Sequence, residues 1–110
     1  MRCGEVCCIG FDPAIGGEIR KTRPVVIASN NAANKALNRI QMVPLTSNVD
    51  RLYPCEAYVH IHGKLAKAMA DQIATVSKQR LGTRLGSIDR HELTEIERAL
   101  RIQLGLVKVK

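Results

Sequence analysis

Aromatic residues are nearly missing from this chain: 110 residues include no Trp, one Phe and two Tyr. Val, Ile, Leu and Ala must therefore build the core, and nucleic-acid recognition by platforms of stacked rings loses much of its basis. No apolar run approaches the roughly 20 residues of a membrane span. The opening MRCGEVCCIG lacks the apolar stretch of a secretory leader. The expectation is a cytoplasmic protein without membrane contact, in which Cys3, Cys7, Cys8 and Cys55 stay as thiols. Cys7 and Cys8, being adjacent, point to opposite faces of a strand, and adding His60 and His62 yields no recognised zinc spacing. No metal and no cofactor is expected.

Chemical signatures are equally sparse. There is no G-x-S-x-G elbow, no phosphate-binding P-loop and no dinucleotide fingerprint. No carboxylate cluster could hold two magnesium ions. A nuclease built on this chain would have to work through fixed cations and hydrogen bonds. That route suits RNA, whose own 2′-hydroxyl can serve as nucleophile, better than DNA.

What is present is charge, since 17 Lys and Arg against 10 Asp and Glu give +7. Such a balance favours polyanions through counterion release, or marks a merely soluble basic protein. The cations are scattered through folded-looking segments, so a polyanion would meet a shaped surface. The length fits one domain spanning residues 1–110, and there are no repeats or linkers.

The periodicity predicts a first strand at Glu5–Phe11, then a Gly- and Pro-rich loop from Asp12 to Glu18. PVVIAS (Pro24–Ser29) reads as a buried strand. Asn30–Asn38 fits a short helix capped by Ser29 or Asn30, and Arg39–Leu45 a third strand. Glu56–His62 alternates Ala57, Val59 and Ile61 against Tyr58, His60 and His62, as a half-buried strand does. Further strands are expected over Lys67–Val76 and Thr83–Ile88. At the C-terminus Asp89 and Glu92 resemble a capping box. Leu93, Ile96, Leu100 and Leu104 share one helical face, Glu97 and Arg101 form a supporting pair, and Gly105 closes the helix. The outline is a small, strongly bent antiparallel sheet or barrel with one C-terminal helix.

Three polar islands interrupt the apolar strands. In the first, Glu18 to Arg23, Arg23 stands where loop becomes strand; a guanidinium held there can grip two phosphate oxygens, or simply be solvated. In the second, Thr46, Ser47 and Asn48 follow a strand and can bind phosphate or a ribose hydroxyl, or just form a turn. In the third, Asp71, Gln72 and Thr75 lie in the expected Lys67–Val76 strand. Asp71 could accept a proton and Gln72 read a base edge, or both could bond a neighbouring loop. His60 and His62 belong to the outer face of their strand and are left out of the candidate site.

Taken in order, these pieces resemble the MazF/PemK family of endoribonuclease toxins. The likeness is carried by G-E-V at Gly4–Val6, F-D-P-A-I-G-G-E-I at Phe11–Ile19, K-T-R-P-V-V-I at Lys21–Ile27, V-P-L-T-S-N at Val43–Asn48, D-Q-I-A-T-V-S-K-Q-R-L at Asp71–Leu81 and the tail Ile88–Leu106. The resemblance implies a mainly β (α+β) fold: an SH3-like antiparallel barrel with a C-terminal helix and short helical turns in loops. It implies a homodimer whose groove takes single-stranded RNA, cut without a metal to leave a 2′,3′-cyclic phosphate and a 5′-hydroxyl. It implies an acidic antitoxin partner, and operator DNA bound only through the antitoxin complex. Arg23 matches the family's catalytic Arg and Thr46 its catalytic Thr; Glu18, Lys21, Ser47, Asp71 and Gln72 fall in the RNA groove. Departures from the pattern are Gly17 where many relatives have Ser, Ala74 and Met69 where relatives carry Arg, and Cys7 in place of an aromatic. Two rival readings of such a barrel are a toxin that inhibits a protein such as gyrase, and a non-catalytic co-repressor subunit.

Overall fold

Short β-branched runs bounded by turns dominate the chain, and they assemble into a curled antiparallel sheet. The structure, a computed structural model, describes residues 1–10 and 22–107. In chain order its elements are β1 (Glu5–Gly10), β2 (Thr22–Ile27), α1 (Asn31–Ala36), β3 (Arg39–Thr46), β4 (Glu56–Ile61), β5 (Lys64–Met69), β6 (Ala74–Ser77), β7 (Leu81–Ser87) and α2 (Arg90–Gln103). The strands lie in the order β4-β5-β3-β2-β1-β7, with β6 alongside the first half of β3. Within that frame the expected bent sheet and C-terminal helix are present. The Asp12–Glu18 loop lies outside the described residues.

Strand alternation divides the core in two. Val6, Val26, Val43, Leu45, Ala57, Val59 and Ala68 pack with Ile96 of α2. On the opposite face Cys7, Ile9, Val25, Ile27, Ile40 and Val76 form a second cluster. Val25, Val26 and Ile27 are therefore all buried, which is why PVVI reads as an unbroken apolar run. Cys7 and Cys8 do fall on opposite faces, and all four cysteines are free.

The expected strand over Lys67–Val76 is corrected. β5 ends at Met69, a 3₁₀ turn takes Ala70–Gln72, and β6 resumes at Ala74. The cause lies in the partner strand: Leu45 pairs with Ala68, but Met42 pairs with Ala74. Six steps along one strand must face three along the other, and the turn absorbs the excess. Asp71 and Gln72 thus sit on a turn, not in a strand.

His62 is also displaced from its expected strand. Ile61 pairs with Lys64, and His62 (φ 52°) with Gly63 (φ 77°) makes the two-residue link. Two left-handed residues are what a type I′ hairpin needs, and Gly63 supplies one without steric cost.

Both helices begin as expected. The Asn30 side chain accepts from the Ala33 N–H in α1, and in α2 both bonds of the Asp89–Glu92 capping box are made. Glu92, Ile96 and Ala99 are the buried positions of α2, whereas Leu104 is 58% exposed because the helix has already ended. Gly105 (φ 73°) turns the chain there, and its N–H reaches the Ile102 carbonyl while Leu106 reaches Arg101. These are the paired bonds of a Schellman ending. The ion pair described on α2 joins Glu95 and Arg98 at 3.1 Å, rather than the expected Glu97 and Arg101.

Candidate active site

Arg23 is the second residue of β2, and alternation puts it on the face of Val25 and Ile27. Across the ladder, Val25 pairs with Pro44 and Ile27 with Met42. The ladder ends at Val25–Pro44, so Arg23 stands two residues past the last pair on β2 and Thr46, the last residue of β3, two residues past it on the other strand. Two candidate residues 23 positions apart in sequence therefore flank the same end of one strand pair.

Arg23 lines a cleft of about 350 Å³. Its floor is the second core cluster, with Ile9, Val25 and Pro44, and its exposed rim carries Gln72, Thr75 and Arg80. The rim is tied by hydrogen bonds. The Gln41 amide donates to the Thr75 hydroxyl (3.0 Å), and the Gln72 amide reaches the Met69 sulfur (3.5 Å). Arg80 donates to the Gly10 carbonyl at the end of β1 (3.2 Å). Cys7 belongs to the cluster beneath, where burial pushes its thiol pKa up and nearby Glu5 adds to the shift. Cys3 is raised likewise by burial and then by Glu97.

Thr46 and Ser47 line a neighbouring, mostly apolar cleft of about 360 Å³ together with His62, Lys64 and Leu65. Arg23 and Thr46 thus open onto adjacent clefts, divided where Pro44 faces one and Pro24 the other. The Thr46 hydroxyl oxygen accepts from the Asn48 N–H (3.2 Å), so the turn-forming role is present. Its own proton is still available to an acceptor.

Of the other residues singled out by sequence, Gln72 joins the Arg23 cleft and Ser47 the Thr46 cleft. Asp71 is exposed on the 3₁₀ turn and lines neither. Glu18 and Lys21 lie outside the described residues. Arg80, a second guanidinium in the Arg23 cleft, escaped sequence reasoning, and His62, set aside there as an outer-face residue, is brought by the hairpin to the Thr46 cleft. Among the described residues no three His, Cys, Asp or Glu side chains gather closely enough to hold a metal ion. No helix among them is long and apolar enough to cross a membrane.

Comparison with known proteins identifies the family to which this antiparallel curl with its C-terminal helix belongs. The family model of PemK-like, MazF-like toxins of type II toxin–antitoxin systems matches residues 2–104, and the chain belongs to that family. Endoribonuclease MazF9 of Mycobacterium tuberculosis is 34% identical over 115 aligned residues, covering 96% of this chain and 98% of the relative. Endoribonuclease MazF of Staphylococcus epidermidis is 30% identical, covering 96% and 92%. Among solved structures, a mycobacterial endoribonuclease in complex with its cognate antitoxin superposes with a TM-score of 0.81 at 28% identity, covering 99% of both chains. A MazE–MazF structure from Deinococcus radiodurans gives 0.82 at 25% identity, covering 97% of both.

Proposed function

We propose that this chain is a metal-independent endoribonuclease that cuts single-stranded RNA, the toxic half of its toxin–antitoxin pair. The observation that supports this reading is the end of the β2–β3 ladder at Val25–Pro44, beyond which Arg23 lines one cleft and Thr46 the neighbouring one. The ribose 2′-hydroxyl attacks the adjacent phosphorus and the 5′-oxygen leaves, giving a 2′,3′-cyclic phosphate and a 5′-hydroxyl. Arg23 offsets the charge that builds on the non-bridging oxygens, and the Thr46 hydroxyl holds the scissile phosphate or the attacking ribose. Gln72 and Ser47 border these residues and bind the flanking nucleotides, and Glu18, Lys21 and Asp71 add RNA contacts as the family resemblance implies. The whole length acts as one domain in the cytoplasm, as a homodimer whose RNA groove crosses both subunits. An acidic antitoxin covers the basic groove, and operator DNA is met only through that complex. Relatives named as endoribonucleases, one of them solved with its antitoxin, support the reading.

Arg23→Ala is the direct test. Arg23 is exposed, so the variant should unfold within about 0.5 kcal/mol of the parent, while RNA cleavage falls by a factor on the order of 10³. Cleavage of a defined RNA, mapped at its 5′ ends, should persist in EDTA. Undiminished cutting by Arg23→Ala would falsify the mechanism; loss on chelation, restored by magnesium, would remove its metal independence.

A further inference from the structure

Lys67 is a long cation in an unusual position: only 7% exposed, beside Glu56 at 7%. Its ammonium lies 3.1 Å from the Glu56 carboxylate and donates to the Arg51 carbonyl at 2.8 Å. The same carboxylate accepts from the Tyr53 N–H at 2.9 Å. One position away on this face, the Tyr58 hydroxyl donates to the Val49 carbonyl at 2.9 Å. Three hydrogen bonds from β4 and β5 thus fix the segment 47–55 at Val49, Arg51 and Tyr53.

That segment begins at the candidate active site. Lys67 pairs directly with Thr46 across the β3–β5 ladder and with Tyr58 across β4–β5. Directly opposed residues share a face, so Thr46, Lys67 and Tyr58 stand in one row, and the segment after Thr46 folds back over it. The Thr46 hydroxyl in turn accepts from Asn48, inside the tied segment. We propose that the buried Lys67–Glu56 pair is a positioning device for the reaction: by strapping residues 47–55 to β4 and β5, it fixes where the Thr46 hydroxyl and Ser47 stand. This rests on the ribonuclease reading above, and Lys67 itself touches no substrate in it. Orientation is the quantity at stake, and displacement of a reactive group by about 1 Å can cost on the order of 100-fold in rate.

The test uses the full chain with Lys67→Met, Lys67→Arg and the double variant Glu56→Gln/Lys67→Met, which leaves no unpaired charge if the single change prevents folding. Amide hydrogen exchange is the first readout. In Lys67→Met, amides of residues 48–53 should exchange at least about tenfold faster while those of α2 are unchanged. RNA cleavage is the second. kcat should drop by about ten- to a hundredfold with KM nearly constant, Lys67→Arg should recover most of it, and in a Thr46→Ala background Lys67→Met should cost nothing further. Unchanged exchange at 48–53, or rate losses for Thr46→Ala and Lys67→Met that simply multiply, would overturn the proposal. A parent protein that cuts no RNA overturns the ribonuclease reading and the catalytic half of this one, while exchange still judges the strap alone.

Discussion

Cys7 illustrates how one side chain's surroundings set its chemistry. It lies in the apolar floor beneath the Arg23 cleft, where ionising it would place a charge among Val25, Ile27 and Ile40 with Glu5 nearby. Its pKa is accordingly above the ordinary value of 9.0, as is that of Cys3. The sign follows from proton binding: the folded state holds these thiol protons more tightly than the unfolded chain. Their contribution to stability is intact below pH 9 and is lost as pH rises through and above it. We expect urea unfolding midpoints to fall on going from pH 8 to pH 10, with the fall reduced in a Cys3→Ala/Cys7→Ala variant. A pH-independent midpoint in the parent protein would contradict the assignment. The expectation that these cysteines stay as thiols comes from the anticipated cytoplasmic setting; which of them is buried beneath a cleft required the fold.

Elements were legible where a local signal is unique and obscure where partners far away decide. The Asp89–Glu92 box is a four-residue pattern, and the helix starts there. The break at Ala70–Gln72 leaves no local mark, because it arises from β3 exchanging one neighbour for another. Arg80 was hidden for the same reason: its bond to Gly10 spans 70 positions. The box itself has a feature its sequence does not declare. One Glu92 oxygen closes the box on the Asp89 N–H (3.1 Å), and the other accepts the His60 backbone N–H (2.7 Å) and faces its ring nitrogen (3.1 Å). Glu92 therefore clips α2 to β4. Asp89→Ala, which removes a cap alone, should destabilise by about 1 kcal/mol. Glu92→Ala should cost roughly 2–3 kcal/mol, since it also strips a partner from the part-buried His60 amide, and Glu92→Gln should fall between. Chemical denaturation would measure all three, and equal losses for Asp89→Ala and Glu92→Ala would show that the clip contributes nothing.

At the scale of the whole molecule, the question is how a net charge of +7 becomes recognition rather than mere stickiness. Part of the answer is concentration of charge: Arg23 and Arg80 share the rim of one cleft, although they belong to β2 and to the turn before β7. Each phosphate neutralised on a single strand steepens the dependence of log affinity on log salt by about 0.7. Contacts to two or three phosphates predict a slope of roughly −1.4 to −2.1 for RNA binding. Arg80→Ala should make that slope shallower by about 0.7 and weaken binding to all sequences alike, because a phosphate contact positions the strand without reading it. The measurement is a salt titration of binding to a short RNA, made with Arg23→Ala protein so that the RNA survives. In that background the remaining slope should still respond to Arg80→Ala. If it does not, Arg80 serves only to tie its turn to Gly10, and the RNA takes another path across the basic surface.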